Sequence, residues 1–191
     1  MQLLSAHLTD GVWRSTDKGN SWEHLGLDEE INFNPVTGVA INSAGNIYAS
    51  SYRLNYLFYK TTDQGSTWQN VDNNILNTHT KRGQNIVVDR LGNVFAFTDF
   101  NEIYYSKDNG SSWTLIDDSW DHSSNIAKLD AERSLVAYSF NHGLFTKDFF
   151  TEEVKTFGLP KYWGYNDIAF HPLKDSVIYV SVSGPQDERS L

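Results

Sequence analysis

"RSTDKGNSW" at residues 14–22 returns as "KTTDQGSTW" at 60–68 and as "YSKDNGSSW" at 105–113. The aspartates of the phrase, Asp17, Asp63 and Asp108, lie 46 and 45 residues apart. A fourth frame, "FTKDFFTEEV" at 145–154, keeps Asp148 but has lost the Gly and the Trp. So regular an interval marks a chain assembled from one repeated supersecondary unit.

Each interval holds four short runs of strand-forming residues. In the third copy these are "QNIVVD" (84–89), "VFAFT" (94–98), "IYYSKD" (103–108) and "SWTLI" (112–116), separated by Gly, Asn and Asp. The second copy reads "GVAIN", "NIYASS", "YLFYKTT" and "TWQNV"; the fourth reads "NIAKLD", "SLVAYSF", "GLFTKD" and "EVKTF". Val, Ile, Phe, Tyr and Thr in the runs, with turn residues between, predict strands and turns. No segment keeps a helical period over three turns.

Four antiparallel strands every 40 to 46 residues is the pattern of a β-propeller blade. A lone four-stranded sheet exposes both faces and is marginal; stacking such sheets around an axis buries the faces. The predicted fold is therefore all-β, a propeller of about four blades within a single domain, 1–191. The blade units run approximately over 1–26, 36–71, 84–116, 124–157 and 166–183. Both termini fall mid-blade: "LLSAHLTD" matches a second strand, while "DIAFHP" and "SVIYVSV" match a first and a second. The expectation is a propeller that completes itself or is partial. The surplus second strand points to a larger ring or to completion by another chain.

The phrase reads as a turn fastener. Asp17, Asp63 and Asp108 can accept hydrogen bonds from amides just ahead of them. Gly19, Gly65 and Gly110 supply a position needing positive φ. Ser15, Thr61 and Ser106 add a hydroxyl, and Trp22, Trp68 and Trp113 open the next strand, with rings expected to pack over the turn. Ser/Thr-x-Asp-x-Gly-x-Ser/Thr-Trp resembles the Asp-box, or BNR repeat. That resemblance implies a place between the third and fourth strands of a blade, at the periphery and away from a ligand site.

Composition narrows the function. A formal charge of −9 argues against nucleic acid, which needs a basic face. There is no cysteine, hence no disulfide and no thiolate chemistry. The six histidines form no ligand-like cluster, so no metal and no cofactor is expected. No apolar run approaches the ~20 residues of a membrane span, and no signal peptide is legible at the N-terminus.

Binding residues are expected on the inter-blade loops "GLDEEINFNPVT" (26–37), "DNNILNTHTKRG" (72–83), "DDSWDHSS" (117–124) and "GLPKYWGYND" (158–167). Trp120, Tyr162, Trp163 and Tyr165, with Arg53, are the candidate ligand residues, because aromatic faces beside polar groups suit sugar rings. The alternative is inward packing of the two tryptophans between blades. The same face carries Asp28, Glu29, Glu30, Asp99, Glu102, Asp117, Asp118, Asp121 and Asp167, among which a glycosidase pair would have to be found. Asp-box families include sialidases, xyloglucan-cleaving endoglucanases, sortilin-type receptors and photosystem assembly factors. The sialidase Arg-Ile-Pro segment has no counterpart here, and the resemblance is nearest to xyloglucanase repeats in "GVWRSTDKGNSWEHLG" (11–26). The expected protein is a non-catalytic or catalytically incomplete module of a bacterial surface or secreted protein, extracellular, binding a glycan or a protein through its inter-blade loops. The alternative is a glycoside hydrolase fragment.

Overall fold

The computed structural model describes residues 3–7, 9–29, 34–54, 56–75, 81–89, 91–99, 102–117, 127–130, 135–140, 143–148, 153–158, 164–171, 173–174 and 177–183. They form seventeen strands and, among the described residues, no helix. Two compact units result, 1–119 and 120–191.

The first unit holds three leaflets, each an antiparallel meander. Leaflet one is β1 (Leu3–Ala6), β2 (Val12–Ser15) and β3 (Glu23–His24). Leaflet two is β4 (Val36–Ile41), β5 (Ile47–Ser51), β6 (Phe58–Thr61) and β7 (Gln69–Asn70). Leaflet three is β8 (Gly83–Val88), β9 (Val94–Thr98), β10 (Ile103–Ser106) and β11 (Thr114–Asp117). The second unit holds leaflet four, β12 (Ala127–Asp130), β13 (Leu135–Phe140), β14 (Gly143–Asp148) and β15 (Val154–Gly158). It also holds the hairpin β16 (Gly164–Phe170) and β17 (Ile178–Ser183). The strands thus follow the repeat, and the fold is that of β-propeller leaflets.

The apolar cores of the first unit lie between leaflets. Val12, Leu25 and Leu27 pack with Val36, Ile47 and Tyr59 across the first junction. Tyr48, Phe58 and Val71 pack with Ile86, Val94 and Trp113 across the second. Every residue of β5 and of β9 is buried, although "VFAFT" reads as an alternating strand. Leaflet two lies between leaflets one and three, so both faces of β5 are covered and polar Ser50 and Ser51 are buried with the rest. One irregularity recurs at the same place in the repeat: the first strands β4, β8 and β16 each carry a bulge near their start.

The nine-residue phrase builds one turn three times. The buried hydroxyl of Ser15, Thr61 or Ser106 donates to the aspartate Oδ1 at 2.8, 2.7 and 2.8 Å. It also accepts from the amide of Gly19, Gly65 or Gly110 at 2.7, 2.9 and 2.8 Å. The aspartate closes the far side, taking the amide and hydroxyl of Ser21, Thr67 or Ser112. Those bonds hold the carboxyls of Asp17, Asp63 and Asp108 at about 2, with the Ser21, Thr67 and Ser112 hydroxyls the largest cause. Positive φ is needed at two successive residues, not one. Lys18, Gln64 and Asn109 stand at 64°, 62° and 59°, just before glycines at 93°, 96° and 83°. Two left-handed residues in a row make the tight primed turn that suits a hairpin's twist.

The tryptophans do more than pack over their own turns, where a Cβ on Gly19 would lie 4.0 Å from the Trp22 ring and one on Gly110 3.6 Å from the Trp113 ring. Trp68 Nε1 donates to the Leu25 carbonyl of leaflet one at 2.8 Å, and Trp113 Nε1 to the Val71 carbonyl of leaflet two at 2.7 Å. Each ring therefore staples its leaflet to the preceding one. The indole N–H there meets a carbonyl that needs a donor.

Candidate functional site

Three connections of the first unit come together on one face: the β5–β6 loop, the segment entering β8, and the β9–β10 loop. Asp99 ties the last two, since its Oδ1 accepts from the Arg82 amide at 2.8 Å while its own amide donates to the Arg82 carbonyl at 3.0 Å. The Arg82 guanidinium adds an ion pair to Asp99 at 3.4 Å and lies 4.9 Å from the Tyr52 ring centroid. Beneath them Lys81 is buried with Nζ on Glu102 (2.7 Å), on the Tyr104 hydroxyl (2.9 Å) and on the Ile75 carbonyl (3.1 Å). Glu102 also accepts from the Thr98 hydroxyl at 3.0 Å. A fully partnered buried cation fixes this segment in place.

The β5–β6 loop rises from that base. Within five residues it exposes Tyr52 (43%), Leu54 (43%) and Tyr56 (45%). Arg53 Cζ sits 4.1 Å from the Tyr56 ring centroid, and Arg53 also hydrogen-bonds Tyr59, whose hydroxyl burial pushes up to about 12. The two exposed tyrosines are thus each backed by a guanidinium, a cation–π arrangement that stiffens both. Asp72, buried, bolts the loop's far end by accepting from the Leu57 and Phe58 amides at 2.8 and 2.6 Å and from Asn70 Nδ2 at 2.9 Å. Burial outweighs those bonds and pushes the Asp72 carboxyl up to about 6.

Of the ligand residues expected from sequence, Arg53 lies in this cluster. Trp120, Tyr162 and Trp163 fall outside the described residues. Tyr165 stands in β16, paired with Val182, not in a loop; Asp167 in β16 and Asp117 in β11 are likewise strand residues. Pairing with β17 starts already at Gly164, which shortens the expected loop. Among the expected carboxylates, Asp99 and Glu102 are engaged by Arg82 and Lys81, and Asp28 lies 3.4 Å from His24. Glu30, Asp118 and Asp121 lie outside the described residues. Among the described residues, no three His, Asp or Glu side chains gather as metal ligands would. Sequence reasoning singled out Arg53 but not Tyr52, Leu54, Tyr56 or Arg82. The signal for Tyr52, Leu54 and Tyr56 was three large side chains in a five-residue connection, "YRLNY" (52–56), too short to bury them, whereas Arg82 had none.

No family model and no curated protein matches the chain. Solved structures do. YCF48 bound to a D1 peptide is similar at 15% identity over 87% of this chain and 53% of that one, with a TM-score of 0.61. The extracellular domain of the putative hybrid two component system BT4673 from B. thetaiotaomicron is similar at 16% identity, 95% and 26% coverage, and a TM-score of 0.72. The GH74 enzyme of Niastella koreensis is similar at 14% identity, 86% and 24% coverage, and a TM-score of 0.58. This chain spans about half the length of the first of these and about a quarter of the other two. At such identities the likeness is one of fold, and the fold is the propeller leaflet.

Proposed function

We propose that the chain is an Asp-box propeller segment serving as a non-catalytic binding module, with a protein segment as its ligand on the Tyr52–Leu54–Tyr56 face. The observation that carries this reading is the stiffened loop itself. Tyrosine and arginine are the residues that dominate protein-binding surfaces, and here two Tyr–Arg stacks flank an exposed leucine. Both rings are held before any ligand arrives, so little ordering entropy opposes binding. A glycan is the second reading, supported by the exposed ring faces. A guanidinium behind each ring draws electron density from it and weakens sugar stacking, which favours protein.

The alternative of a glycoside hydrolase fragment finds less support, because Asp99 and Glu102 are held by cations. The similarity to an extracellular bacterial domain supports a place outside the cell or at its surface. The test is binding of the full chain to a random peptide array and a glycan array, with Tyr52→Ala and Tyr56→Ala alongside. Peptide binding lost in both variants is expected. Glycan binding that survives both, or hydrolysis of xyloglucan, would overturn the proposal.

A further inference from the structure

Asn109–Gly110 is the one Asn-Gly dipeptide of the chain. Such a pair carries its own chemistry, because no Cβ on the glycine crowds its nitrogen. That nitrogen can attack the asparagine side-chain carbon Cγ. The N–Cγ bond forms, the side-chain nitrogen leaves with the amide proton as ammonia, and a cyclic succinimide remains. Water then opens the ring at either carbonyl and leaves aspartate or isoaspartate. The attack is intramolecular, so its rate follows how often the nitrogen can face Cγ. The other two phrases hold Lys18 and Gln64 at this place. Lysine has no side-chain carbonyl to attack, and glutamine would have to close a larger ring.

Folding ties down the atoms of this reaction. The peptide plane that joins 109 to 110 is pinned at both ends. Its N–H donates to the buried Ser106 hydroxyl at 2.8 Å, and its carbonyl accepts from Lys60 Nζ at 3.1 Å. The side chain is held as well, since Asn109 Oδ1 accepts from the Tyr48 hydroxyl and from Asn42 Nδ2, both at 3.3 Å. Lys60 and Tyr48 stand in β6 and β5, and Asn42 directly follows β4, so three of these four partners belong to leaflet two. Bringing the Gly110 nitrogen onto Cγ requires the plane to turn, which breaks the bonds at both of its ends. The Trp113 indole closes the same junction on the Val71 carbonyl at 2.7 Å.

We infer that Asn109–Gly110 is a modification site, a self-cyclising asparagine that the junction of leaflets two and three holds shut. When leaflet three moves off leaflet two, Lys60, Tyr48 and Asn42 withdraw together, and only the Ser106 bond still restrains the plane. The succinimide forms in that opened state. Reclosing does not undo the change. Isoaspartate adds a methylene to the main chain where Asn109 and Gly110 stand at φ 59° and 83°, and either product sets a new carboxylate next to Asp108. The site thus records openings of one particular junction, and it is independent of the ligand proposed above.

Peptide mapping by mass spectrometry tests this on the full chain aged at mildly alkaline pH. It reads the amide-to-acid conversion at Asn109 against that at Asn20, which precedes Ser21 in the first phrase. Conversion at Asn109 is expected to be at least about tenfold slower in the folded chain than in urea. Lys60→Ala frees the carbonyl end of the plane, and Trp113→Phe loosens the junction without touching residues 109 and 110. Each is expected to raise the rate at Asn109 several-fold while Asn20 keeps its own. A folded chain that reacts as fast as the unfolded one would overturn the inference. So would rates unchanged in both variants, or a rise shared equally by the two asparagines.

Discussion

Replacing Trp113 by Phe keeps an aromatic ring and removes one N–H. In the folded unit that N–H meets the Val71 carbonyl at 2.7 Å, inside the core shared by leaflets two and three. Leaving a buried carbonyl unpaired costs about 1–3 kcal/mol. The smaller ring opens a void beside Phe58, whose centroid lies 5.9 Å away, for about 1 kcal/mol more. The sum is about 3 kcal/mol, or roughly 10 °C in melting temperature for a unit of this size. Trp22→Phe is the matched control. Its turn has the same hydrogen bonds, yet Trp22 is 44% exposed, so the change should stay within about 0.5 kcal/mol. Differential scanning calorimetry of both variants at low protein concentration decides. Equal losses at the two positions would show that the tryptophan serves its own turn, and the staple account would fail.

Stability should pass through a maximum between about pH 4 and 5, because two kinds of aspartate pull in opposite directions. Asp17, Asp63 and Asp108 sit at about 2, so their stabilisation is present above the ordinary carboxylate value of 3.8 and is lost as pH falls towards 2. Asp72 sits at about 6, so its contribution is full below 3.8 and is lost as pH rises through 6, a change of about 3 kcal/mol. Urea midpoints measured from pH 3 to 7 check both limbs, and Asp72→Asn should flatten the upper one. Gly65→Ala should destabilise far more than Gly92→Ala. Both have positive φ, yet a Cβ at 65 lands 2.7 Å from Leu25 while one at 92 meets nothing within 4 Å; melting temperatures compare them. Lys81→Ala, which strands Glu102 beside Tyr104, should cost about 3–5 kcal/mol by denaturant unfolding.

Strand order was legible because β residues and turn residues alternate locally, and "VFAFT" marks β9 from Val94 to Thr98 without error. The hydroxyl–aspartate–glycine network was legible for the same reason: its partners lie within four residues of one another. The tryptophan's role was not, since its acceptor lies 43 or 42 residues back and nothing near Trp68 names Leu25. The left-handed conformation of Lys18 and Gln64 was hidden by side chains that ordinarily avoid it, and only Asn109 is of a type that favours it. Arg53 could be picked from its loop, whereas Arg82 joins the site only through the folding of leaflet three against leaflet two.

Hydrogen exchange at the indole N–H groups, followed by two-dimensional NMR, reads the staples one at a time. The N–H signals of Trp68 and Trp113 are expected to persist with protection approaching that of the core strands, while Trp22 exchanges at the rate of a free indole. Three tryptophans exchanging alike, fast or slow, would contradict leaflets fastened to one another through these rings.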